Sequence, residues 1–157
     1  MEIKEAIKVL YNSKDSVVSE VYDTDQELAT ALKVVVPDFE YPDFSHKTVQ
    51  QVLLPVLRKT ASSFEPGSVH LAGELVHDYR ENPQELMPFV HGHLDMKRGE
   101  LTEDDWIENL MAVVFKEGRV FSKFELLNGK HIYIITTWED EEERQPRLTT
   151  IMYPSDY

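Results

Sequence analysis

Two histidines and an aspartate stand within five residues, at His91-Gly92-His93-Leu94-Asp95. Imidazole nitrogens and a carboxylate oxygen are good donors for zinc, iron or manganese. On a strand, a His-x-His pair puts both rings on one side. The flanks here read as helix, where residues two apart point about 200° from each other. Gly92 is the residue that could break the helix and bring the rings together. A second set precedes this one. His70, Glu74 and His77 fall on one stripe of an expected helix, and Glu74 to His77 has the Glu-x-x-His spacing of carboxylate-bridged metal bundles. Such bundles need two of these motifs and two further glutamates, and only one motif is present. If the two sets converge, His77, His91, His93 and Asp95 make a mononuclear metal centre. A metal-dependent enzyme built on it is the one enzyme hypothesis the sequence supports. The competing reading is a solvated helix end whose histidines favour the negative end of the helix dipole.

The other chemically weighted feature is acidic. Glu139-Asp140-Glu141-Glu142-Glu143 follows Trp138 directly. Like charges so close repel, so the run must be solvated or must meet a basic partner. Glu103, Asp104 and Asp105 make a second cluster in the first turn of an expected helix. With Trp138 these eight acids form the expected partner-binding residues. The whole chain has a net charge of −13 from 29 acidic and 16 basic residues. Direct nucleic-acid binding is not expected, because phosphate contacts need clustered Lys and Arg. Arg58-Lys59 and Lys97-Arg98 are isolated pairs. An anionic membrane would repel the chain as well. The expected function is a small acidic module, an inhibitor or regulator that binds a basic protein surface. A nucleic-acid-binding enzyme is one such surface, which the acids would engage by mimicking phosphates; a phage or mobile element would suit such a protein. Solubility alone is the bland account of the same charge.

Other chemistries fail early. There is no cysteine, hence no disulfide, thiolate metal site or cysteine nucleophile. Neither Gly-x-x-x-x-Gly-Lys nor Gly-x-Gly-x-x-Gly occurs, so no phosphate cradle and no cofactor is expected. The charged start, Met1-Glu-Ile-Lys-Glu, lacks the apolar core of a signal peptide, and no apolar run reaches about 18 residues. A cytoplasmic location is the expectation.

The elements that must position these residues read as helices first. Ile3, Ala6, Ile7 and Leu10 have helical spacing, and a second segment carries Val17, Val18 and Val21. Thr24 with Glu27 reads as a capping box ahead of Leu28, Ala31 and Leu32. Pro37 and Pro42 predict an extended aromatic connector. Ser45 is the expected cap of a helix bearing Val49, Val52, Leu53, Val56 and Leu57, kinked at Pro55. Further helices are expected over residues 69–80, after Asn82-Pro83, and after Thr102 with an end at Gly118.

The period then changes. Segments 119–127 and 130–138 flank Asn128-Gly129, the strongest short hairpin signal. A two-residue turn would face Leu127 with Lys130 and Phe124 with Tyr133. One face would then hold Val120, Phe124, Leu126, Tyr133 and Ile135; the other Phe121, Ile132, Ile134 and Trp138. Segment 147–153 is the third strand. The fold expected is α+β, one domain over 1–157. Five or six helices (1–118) would precede a three-stranded antiparallel meander (119–157) packed on them. An exposed sheet edge would also allow a homo-oligomer.

Overall fold

Apolar spacing in the first sixty residues becomes five helices: α1 (Ile3–Asn12), α2 (Val18–Val21), α3 (Gln26–Val35), α4 (Tyr41–Phe44) and α5 (Val49–Thr60). The computed structural model describes residues 1–138 and 148–157. These form two compact units, Met1–Thr60 and Ala61–Tyr157. In the first unit α1 packs on α3 and α5, burying Ala6, Ile7, Leu10, Leu28, Leu32, Leu53 and Leu57.

The helix starts differ from expectation by one to three residues. Asp25, not Thr24, caps α3, accepting from Leu28 N–H at 3.0 Å. Thr48, not Ser45, begins α5. Its hydroxyl accepts from Gln51 N–H at 3.2 Å, and the Gln51 side chain accepts from Thr48 N–H at 2.9 Å. This reciprocal pair is a capping box with glutamine in the carboxylate's place. The connector between Pro37 and Phe44 is not wholly extended, because α4 winds a single turn with Pro42 near its start. Its aromatics fold inward: Phe39 stacks on Phe44 at 4.8 Å, and Tyr41 on Tyr22 at 4.4 Å.

The second unit holds β1 (Ser68–Leu71), α6 (Glu74–Asp78), a 3-10 turn (Pro83–Leu86), α7 (Met87–Leu94), α8 (Glu103–Phe115), β2 (Arg119–Glu125), β3 (His131–Thr137) and β4 (Leu148–Met152). The architecture is α+β, as expected. The sheet is not a three-stranded meander. It has four strands in the order β1-β4-β3-β2, with β1 parallel to β4 and the other pairs antiparallel. The added strand lies where residues 69–80 read as one helix. Gly73 at φ +60° and ψ −142° separates strand from helix there. The same glycine lets Asp156 approach: a Cβ would collide with that carboxylate, which accepts from Glu74 N–H at 3.3 Å.

The hairpin is present but its register is shifted by one residue. Glu125 faces His131 and Phe124 faces Ile132. Leu126 N–H donates to Lys130 O at 2.7 Å, which leaves a three-residue loop, Leu127-Asn128-Gly129. Only Gly129, at φ +86°, is left-handed in that loop; Asn128 is not, and its side chain accepts from Lys130 N–H instead. A glycine bulge therefore replaces the two-residue turn, which needs two left-handed residues. Slipping one residue exchanges faces. Val120, Ser122 and Leu126 are thus buried on the same side as Ile132, Ile134, Thr136 and Trp138, while Phe121 meets Tyr133 on the other. Leu75, Leu86 and Val90 from α6, the 3-10 turn and α7 cover Leu126, Ile132, Ile134 and Ile151.

Candidate functional site

His93 is fully buried as the last residue but one of α7. Its Nδ1 lies 2.7 Å from Ser122 Oγ and its Nε2 2.8 Å from Thr136 Oγ1. Thr136 Oγ1 is 2.7 Å from Thr149 Oγ1, whose hydroxyl donates to Pro66 O at 2.5 Å. The end of this chain fixes all its protons. A carbonyl can only accept, so the Thr149 proton goes to Pro66. Thr149 must then accept from Thr136, and Thr136 from His93 Nε2–H. Nδ1 is left to accept from Ser122. The ring is therefore the neutral Nε2–H tautomer, with every partner satisfied. Burial without a carboxylate partner lowers its pKa from 6.5 to about 3.

This geometry disposes of His93 as a metal ligand, because both nitrogens are committed to hydroxyls. Its neighbours point elsewhere. His91 is exposed, as α-helical spacing two residues apart requires. Asp95 is exposed and accepts from Ser63 Oγ at 3.0 Å. His77 is exposed on α6, while His70 sits on β1, so the expected stripe of His70, Glu74 and His77 on one helix does not exist. His77, His91, His93 and Asp95 are not brought together. Among the described residues one other trio has converging donor atoms: Glu100, Glu125 and His131, all within 4.8 Å of one another. Sequence reading missed it because a two-residue turn would have set Glu125 opposite Ile132. The observed register makes Glu125 and His131 direct partners.

The acidic residues divide. Residues 139–143, and with them Glu139, Asp140, Glu141, Glu142 and Glu143, lie outside the described residues. Glu103, Asp104 and Asp105 open α8 as expected. Thr102 supplies the cap, its hydroxyl accepting from Asp105 N–H at 3.2 Å. Asp104 and Asp105 are exposed, and neither carboxylate has a hydrogen bond or ion pair among the described residues. Trp138, expected among the contact residues, is buried: it is 7% exposed, its ring 5.5 Å from Phe64, which in turn meets His93 edge-on at 5.5 Å. Its backbone N–H donates to Gly118 O, just past the last turn of α8. The residue from which the acidic run departs thus stands at the opposite end of α8 from Glu103, Asp104 and Asp105. Thirteen residues at about 1.5 Å each make that helix about 20 Å long.

A different polar cluster gathers beside α6. Tyr153 O–H donates to Asp78 Oδ2 at 2.5 Å, and Lys130 Nζ lies 3.8 Å from the same carboxylate and 5.3 Å from the Tyr153 ring. Burial first, then the bond to Asp78, holds the Tyr153 hydroxyl well above its ordinary pKa. A phenol kept protonated in this way is a structural donor rather than a proton acceptor. Among the described residues no helix is long and apolar enough to cross a membrane. Comparison with known proteins finds no matching family model, no matching curated protein and no matching solved structure.

Proposed function

We propose that the protein is a non-enzymatic recognition module that binds a basic protein surface through its acidic residues. The observation that carries this reading is the first turn of α8. Its cap is supplied by the Thr102 hydroxyl, and Asp104 and Asp105 present exposed carboxylates with no partner among the described residues. A net charge of −13 adds a long-range attraction that speeds encounter with a cationic partner. Lys- and Arg-rich surfaces of nucleic-acid-binding enzymes have the required chemistry, and phosphate mimicry is the form the contact would take there. The His93 constellation, in contrast, is occupied by the fold.

The test is affinity capture from the native host with mass spectrometry, followed by binding measurements on two variants. One carries Asp104→Asn and Asp105→Asn; the other neutralises residues 139–143 with the matching amides. Each should bind the captured partner at least about tenfold more weakly and with a smaller salt dependence. Partner capture untouched by either variant would remove the acidic residues from the function.

A further inference from the structure

We infer that Glu100, Glu125 and His131 form a binding site for a first-row divalent cation of the zinc type. Their donor atoms converge within 4.8 Å although they come from separate segments. Glu125 ends β2 and His131 begins β3, as cross-strand partners. Glu100 lies in the loop between α7 and α8, and its N–H donates to Lys123 O at 3.1 Å, docking the loop on the free side of β2. Gly99 permits the approach. It has φ +59°, and a Cβ there would meet Lys123 O and the Phe124 ring at 2.8 Å. The backbone therefore brings the three residues side by side before any ion arrives.

Charge supplies the second argument. His131 Nε2 lies 3.0 Å from Glu100 Oε2. Among the described residues no lysine or arginine pairs with either glutamate. Two carboxylates thus share at most one imidazolium, and negative charge is left over. A divalent ion balances both carboxylates and takes the neutral imidazole as its third donor. One nitrogen with two oxygens suits zinc or manganese better than calcium, which prefers oxygen alone. Three protein ligands on a partly exposed surface leave coordination positions for water, the open type of site.

The experiment titrates zinc chloride into chelator-treated full-length protein, followed by calorimetry and by the histidine ring signals in NMR. The expected result is one equivalent bound, with the His131 ring shifted and those of His70, His77 and His91 unmoved. Glu125→Gln and His131→Gln change an exposed and a half-buried side chain and should each weaken binding by about tenfold or more, since even outer-shell changes cost 10–100-fold. Unchanged circular dichroism shows that both variants fold. Neutralising residues 139–143 should leave the zinc isotherm as it was. The inference is overturned if zinc does not bind, if both glutamine variants bind as well as the parent, or if the isotherm follows residues 139–143.

Discussion

At the scale of the residue, His93 shows how a chemically suggestive side chain can be fully absorbed by a fold. The His-x-His spacing was visible in the sequence, and so was the helix that turns its two rings apart. Nothing local announced the partners, because Ser122 and Thr136 are 29 and 43 residues away. The neutral ring has a cost in acid. Below about pH 6.5 the unfolded chain takes up a proton here that the folded chain refuses until about pH 3. Stability from this residue is complete above pH 6.5 and falls through that window as acidity rises. The limit is about 1.4 kcal/mol per pH unit. Urea unfolding at pH 7.5 and pH 5 should therefore separate the parent from His93→Gln, which keeps one donor and one acceptor but does not titrate. The parent should lose about 2 kcal/mol more between the two conditions. Equal losses would mean that the ring is not held neutral.

At the scale of the element, the outer edge of the sheet at β2 is closed by side-chain and loop contacts. On β2 the side chain of Asn109, 6% exposed on α8, pairs with the Phe121 backbone as a neighbouring strand would. Nδ2–H donates to Phe121 O and Oδ1 accepts from Phe121 N–H, at 2.5 and 3.0 Å. Glu100 N–H takes the Lys123 carbonyl on the same edge. An unpaired edge invites association, and this one is closed by an amide and a docked loop. Asn109→Leu should cost about 1–3 kcal/mol by orphaning two part-buried backbone groups. It should also make the protein self-associate with concentration, read by sedimentation velocity; a variant that stays as stable as the parent would contradict the role. The hairpin strands and α8 were legible because their signals are local: a turn glycine, alternating apolar residues, a threonine cap. The strand β1 was not. Among the described residues its only ladder is with β4, about eighty residues on, and four residues beside Gly67 carry too little alternation to stand against the helical spacing that follows. The slipped register had the same root, since Asn-Gly serves both a two-residue turn and a glycine bulge. That single residue hid the pairing of Glu125 with His131.

At the scale of the whole molecule, charge is the dominant sequence-level fact, and composition alone made it legible. With −13 distributed over 157 residues, repulsion is stronger in the folded chain than in an expanded one. Two ion pairs of the second unit, Lys130 with Asp78 and His131 with Glu100, lie at the surface and contribute little. Raising sodium chloride from about 20 to 200 mM, across which the Debye length falls from about 20 to 7 Å, should therefore raise the thermal midpoint. A midpoint that drops with salt would show that local attractions outweigh the net repulsion. Composition could not say which acids are arranged for use, because that depends on which carboxylates the caps and ion pairs leave over.

The hydroxyl chain that ends at Pro66 also makes His93 a built-in reporter. A ring nitrogen that carries a proton and one that does not resonate far apart in nitrogen NMR. The tautomer of this one ring is dictated by a backbone carbonyl just before β1, through two threonines on two strands. If the segment around Pro66 lifts from β4, the last acceptor is lost, every donor behind it is free to turn, and the two nitrogen signals move toward exchange. A single side chain would then record, from the centre of the sheet, whether its first strand is seated.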